Sequence, residues 1–162
     1  MANKDQPCGF RPYGRILRVG TYTAGGTFYV GDALTMDNAG KVVVAAATNA
    51  LIGVSASNGS DGVSVGVWDH PDQQFVVQAN GTDPASLADI NQNADILATA
   101  GSSTYKVSRQ ELDSSTTDTT ATLQLKMLGI ERAPGNTYGQ DVDVVVAINN
   151  HALKGGTGTA GL

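Results

Sequence analysis

Val63-Ser64-Val65-Gly66-Val67-Trp68 alternates between valines and small or amphipathic residues, the period of a half-buried strand. Asp69-His70-Pro71-Asp72 follows as a turn, and Phe75, Val77 and Ala79 resume the alternation, so the stretch predicts a hairpin. The same period recurs downstream. Leu123, Leu125 and Met127 alternate with Gln124 and Lys126; Val142, Val144, Val146 and Ile148 alternate with Asp143 and Ala147. Upstream, Thr27 to Val30 predicts a first strand and Ala33 to Met36 a second. Asp37-Asn38-Ala39-Gly40 turns the chain into a returning strand from Lys41 to Val44, and another strand runs from Leu51 to Ser55.

Helical signals are few. Asp83 as N-cap and Pro84 at the first helical position predict one short helix through Ile90, with Leu87 and Ile90 facing inward. Ser108-Arg109-Gln110-Glu111 has capping-box spacing but predicts at most one turn, and Ser114 to Thr120 reads as a surface loop. Many short strands and one helix indicate an all-β chain, a single compact β-barrel or β-sandwich domain. Gln6-Pro7-Cys8-Gly9-Phe10-Arg11-Pro12-Tyr13-Gly14 has no period and two prolines, which predicts an extended N-terminal arm over residues 1–18. The β-rich body is then 19–153, and 154–162, nearly all Gly, Thr and Ala, is expected to be a flexible tail.

The chain has 162 residues, enough for one buried core, and a single cysteine, Cys8, so it forms no intrachain disulfide. A net charge of -5 argues against general binding of a phosphate backbone. Lys4, Arg11, Arg15 and Arg18 against Asp5 make the arm basic and leave the body acidic. Asn3, Lys4 and Asp5 follow Met1 where a leader would be apolar, and no stretch approaches membrane-spanning length; synthesis in the cytoplasm and no membrane association are expected.

Gly156-Thr157-Gly158-Thr159-Ala160-Gly161 spells the dinucleotide fingerprint, but no helix and strand follow to use it. Cys8 or a serine with His70, His151 and Asp69 would supply hydrolytic groups, yet nothing in their spacing fixes a geometry. Asn58, Asp61, Asp69 and Asp72 lack calcium-loop spacing and read as turn residues. Asn58-Gly59-Ser60 and Asn80-Gly81-Thr82 likewise read as turns rather than glycosylated sites. No catalytic, cofactor-binding or metal-binding residue is assigned, and the expectation is a protein without enzymatic activity.

Three blocks carry a resemblance. The opening, Met1-Ala2-Asn3 through Pro7-Cys8-Gly9-Phe10-Arg11-Pro12, resembles the Pro-Phe-Gly-Phe/Leu-Arg-Pro pattern of capsid decoration (cement) proteins of tailed bacteriophages, with Cys8 where phenylalanine is usual. Gly31-Asp32-Ala33-Leu34 with Leu51-Ile52-Gly53-Val54 looks like their paired-strand core, and Val144 through His151 like their terminal strand. The resemblance implies a structural virion protein on the outer surface of the capsid, bound to the major capsid protein as a homotrimer. On that reading an arm that cannot bury its own side chains lays Phe10, Arg11, Pro12, Tyr13, Arg15 and Arg18 on the capsid. Deletion of Met1 through Gly14 is then expected to leave the body folded. The alternative, a phage tail or fibre module binding a surface glycan, predicts a groove with exposed aromatics; Trp68, the one tryptophan, is expected in the core instead.

Overall fold

The computed structural model describes residues 3–81 and 86–162. Its strands are β1 (Arg11–Tyr13), β2 (Gly20–Thr23), β3 (Ala33–Met36), β4 (Val42–Val44), β5 (Gly53–Ser55), β6 (Ser64–Trp68), β7 (Gln74–Gln78), β8 (Asn93–Leu97), β9 (Glu111–Asp118), β10 (Leu125–Ile130) and β11 (Asp143–Ile148). They form two antiparallel sheets, one in the order β1-β7-β11-β10-β8-β9 and one in the order β2-β6-β5-β3-β4. The sheets do not close into a barrel, so the fold is all-β and sandwich-like.

Alternation decides what is buried. Phe75 and Val77 of β7, Val144, Val146 and Ile148 of β11, and Leu125 and Met127 of β10 join Ala33 and Val54 of the other sheet in the main core, with Trp68 packed against it. Residues of opposite parity on the five-stranded sheet, Leu34, Val65 and Val67, build a second cluster with Phe28 and Ile52. The hairpin β3–β4 forms as its turn chemistry predicts: Asp37 Oδ1 accepts from the amides of Ala39 and Lys41, and Gly40 takes φ 75°.

Several expectations are corrected. β6 and β7 belong to different sheets, so Asp69–Gln73 carries the chain across the sandwich rather than around a hairpin. Thr27 to Val30 is no strand: Phe28 and Val30 make only isolated bridges, and the preceding Gly20–Thr23 pairs with β6 instead. The helix shrinks to one 3-10 turn, Leu87–Asp89, in which Ser86 and Asp89 close a capping box and Leu87 is 73% exposed rather than inward. The expected cap at Asp83 and Pro84 lies outside the described residues.

Of the expected loop from Ser114 to Thr120, residues through Asp118 are strand, and only Thr119 and Thr120 lie beyond it. Glu111–Asp118 is the longest strand, because Thr116 and Thr117 return their hydroxyls to the carbonyls of Asp113 and Ser114 while Thr116 also accepts from the amide of Asp95. The last residues are tied down by polar contacts where apolar burial is lacking. Asn93 donates to the Thr159 carbonyl, Asn149 accepts from the Thr159 amide, and Gly161 and Leu162 donate to the carbonyls of Thr119 and Asn91.

Candidate docking surface

The N-terminal segment is the part of the chain that sequence reasoning placed least well. Gly9 holds φ 71°, and a Cβ there would overlap Ser108 and the Gly31 carbonyl, so only glycine lets the chain pass at this point. That path drives Phe10 into the core. Its ring is 2% exposed and meets Phe75 edge-on at 6.3 Å, and its amide donates to the Gly31 carbonyl at 2.9 Å. Phe10 is therefore not a surface contact: the chain supplies its partner itself. Arg11-Pro12-Tyr13 then forms edge strand β1 against β7, where a proline is tolerated because only one side of the strand is in the ladder.

Upstream residues are strapped down by side-chain amides. Asn3 donates to the carbonyls of Thr137 and Gln140, and Gln78 accepts from the Gln6 amide while donating to the Lys4 carbonyl. Arg11 lies 3.3 Å from Glu131 and 3.6 Å from Asp143. The arm is thus part of the sandwich as far as Tyr13.

Beyond it the chain behaves differently. Tyr13 through Val19 form an unbroken exposed run linking the two sheets, in which Tyr13 is 39%, Ile16 48%, Leu17 46% and Val19 52% exposed. Arg15 stands among them with no ion pair among the described residues. The run is not loose. The Leu17 amide donates to Gln73 Oε1 at 2.9 Å, and Gln73 is buried. Arg18 Nε lies 2.7 Å from Asp69 Oδ1, and the Tyr22 hydroxyl donates to Asp69 Oδ2 at 2.6 Å.

These braces explain the local electrostatics. Burial alone would raise the Asp69 carboxyl, but the hydrogen bonds from Arg18 and Tyr22 outweigh it and hold the group below the usual carboxylate range. Burial, with the same carboxylate as acceptor, pushes the Tyr22 phenol up to about 12. The result is a ridge of apolar side chains and one free guanidinium, fixed on the crossover that separates β6 from β7. Arg11 and Arg18, expected to face a partner, are committed to Glu131, Asp143 and Asp69 within the chain.

A second feature lies on the outer face of the six-stranded sheet, a groove whose lining includes Tyr13, Gln74, Gly129, Arg132, Tyr138 and the buried Val145. Elsewhere the structure separates the remaining candidates. Asp61 pairs with Lys41 and Asp72 with Lys154, while Asn58 accepts from the Val30 amide. His70 accepts from the Asp72 amide. His151 is fully buried, its Nδ1 accepting from the Leu153 amide, and burial followed by the nearby Lys154 charge holds its pKa down to about 4. Cys8 is exposed, and partial desolvation raises its thiol pKa.

Sequence reasoning missed Ile16, Leu17 and Val19 as surface residues and Asp69, Gln73 and Tyr22 as braces. One signal was available: Ile16-Leu17-Arg18-Val19, between Gly14 and Gly20, is apolar without strand alternation. Comparison of the chain with protein-family models, curated proteins and solved structures gives no match.

Proposed function

We propose that this chain is a structural capsid decoration protein, which adheres to the outer surface of a phage head by laying the Tyr13–Val19 ridge on the major capsid protein. The observation that carries the reading is the ridge itself: four exposed apolar residues and an uncommitted Arg15 on one continuous segment, held by buried Asp69 and Gln73. A braced segment loses little conformational entropy on docking, so even a small apolar contact yields net affinity. The likeness of the Pro7–Pro12, Gly31–Val54 and Val144–His151 blocks to decoration proteins supports the same role.

Repetition does the rest. Weak contacts multiplied over a shell, and again by assembly as a homotrimer, give an avidity no single ridge has. A ridge that fits only the expanded shell stabilises that shell by mass action.

The test is cosedimentation with expanded empty heads of the encoding phage. Wild-type protein is expected to saturate the heads, and the double variant Ile16→Asp, Leu17→Asp, which leaves the braces intact, is expected to remain in the supernatant. Equal occupancy by both proteins refutes the ridge as the contact. Deletion of Met1 through Gly14 is not a clean test, because it removes Phe10 and β1 from the sandwich.

A further inference from the structure

We infer that His151 is an acid-sensitive latch between the two sheets, whose protonation releases residues 151–156 while the sandwich stays folded. It stands where the last strand of one sheet meets the other. After β11 the chain runs beside the segment that leads into β5. There the Leu51 amide donates to the Asn150 carbonyl, the Ala152 amide donates to the Leu51 carbonyl, and Leu51 and His151 form a parallel bridge. Leu51 belongs to the main core and Ala152 packs against the second cluster, so the seam touches both.

The imidazole fixes the chain just past this seam. Its Nδ1 accepts from the Leu153 amide at 3.1 Å and caps a 3-10 turn, Ala152–Lys154, while the His151 carbonyl accepts from the amides of Lys154 and Gly156. A neutral ring whose Nδ1 accepts carries its one proton on Nε2, and Nε2 is buried with no hydrogen-bond partner among the described residues. Such a ring cannot be charged in place. A proton on Nδ1 would face the Leu153 N–H donor to donor, in a fully enclosed position where Nε2–H has no acceptor either. The ring must leave its site to be protonated, and the cap is lost with it.

The charges around the ring favour the neutral form on balance. Lys154 on the turn itself, Arg18 before β2 and His70 on the crossover oppose a positive ring; Asp69 alone favours it, and it is already committed to Arg18 and Tyr22. Residues 49–52 on the facing segment are Asn, Ala, Leu and Ile and carry no titratable group. Burial first and the Lys154 charge second hold the enclosed ring at a pKa of about 4. Opening is local because the turn has little else to hold it: none of its residues is buried, and Leu153 is 49% exposed.

Native-state hydrogen exchange on the full chain tests the latch and is independent of the capsid reading. Protection at the amides of Ala152, Lys154 and Gly156 is expected to fall about tenfold per pH unit between pH 6.5 and 4 and to level off below, because the freed imidazole takes a proton that the enclosed one refuses. This exchange should be insensitive to low urea, whereas exchange at Val144 and Val146, in the doubly paired strand β11, should accelerate with urea as global unfolding requires. His151→Asn keeps an acceptor for the Leu153 amide and does not titrate, so the pH slope at these amides should vanish. Lys154→Gln leaves the ring in place and removes an opposing charge, so its protection should level off at a higher pH than in the wild type; this arm decides the matter if the asparagine variant folds poorly. Protection that is unchanged down to pH 4, a slope that survives in His151→Asn, an unmoved plateau in Lys154→Gln, or exchange with the same urea dependence as Val146 overturns the latch.

Discussion

Residues Gln6–Tyr13 and Gly14–Val19 are adjacent and similar in composition, each carrying glycine, arginine and large apolar side chains, yet the sandwich treats them in opposite ways. The first has its aromatic ring in the core and its arginine between two carboxylates; the second keeps its apolar residues in solvent. The difference follows from position relative to the sheets. Residues up to Tyr13 run along the edge of β7 and are offered a ladder and a core, whereas residues 14–19 span the gap between two sheets and are offered neither. Exposed apolar residues at a point where the fold gives them no partner are the ones available to another molecule.

The sharpest way to break this contrast is to empty the core half. Phe10→Ala should cost about 3–5 kcal/mol, read as a shift in the denaturant midpoint, because a fully enclosed ring leaves a cavity behind. A loss below about 1 kcal/mol would mean that the segment is a detachable arm after all.

Acid tests the body against which both halves rest. His151 is neutral when folded, with a pKa of about 4 against 6.5 unfolded, so the unfolded chain binds the extra proton between those values. The contribution of His151 is therefore full above pH 6.5 and falls by roughly 3 kcal/mol as pH drops to 4, read by comparing equilibrium unfolding of the wild type and a His151 variant at stepped pH. His151→Asn should flatten this slope, whatever it does to the plateau.

The brace comes next. Asp69→Asn keeps the shape but loses the charge-assisted bonds to Arg18 and Tyr22, at a cost of about 1–3 kcal/mol. Because the Asp69 pKa is lowered, its contribution is present at neutral pH and disappears as the carboxylate protonates below the usual range. Faster hydrogen exchange at the Leu17 amide is the local readout, since that residue hangs from the same crossover. Smallest of all, Arg15→Ala should change stability by less than about 0.5 kcal/mol, as expected for an unpaired surface charge, yet on the proposed capsid role it should weaken head attachment and its dependence on salt.

Strands were legible where β-branched and apolar residues run into a core, whereas Gly20–Thr23, which alternates but buries little, was not foreseen. Ala33–Met36, Leu51–Ser55 and Val142–Ile148 all emerge within a few residues of their place. Periodicity failed where hydrogen bonding replaces apolar burial: the second half of β9 is largely Ser and Thr, and residues 158–162 are held by Asn93, Asn149 and backbone carbonyls rather than by a core. Periodicity is also blind to which sheet a strand joins, so β6 and β7 were read as a hairpin when Asp69–Gln73 in fact spans the sandwich. The candidate surface was half legible. Tyr13 and Arg15 stand out from the sequence, but Phe10 was misplaced because a Pro/Gly segment without period can still enter a core at one residue, and Asp69 and Gln73 act only through contacts about fifty residues distant in sequence.

On the proposed capsid role, the decisive experiment is electron cryo-microscopy of a mature phage head that carries this protein. Density for this two-sheet sandwich is expected on the outside of the shell, with Ile16, Leu17 and Val19 packed against the major capsid protein and Phe10 inside the sandwich. A shell that lacks the protein, or carries it with residues 13–19 facing solvent, contradicts it.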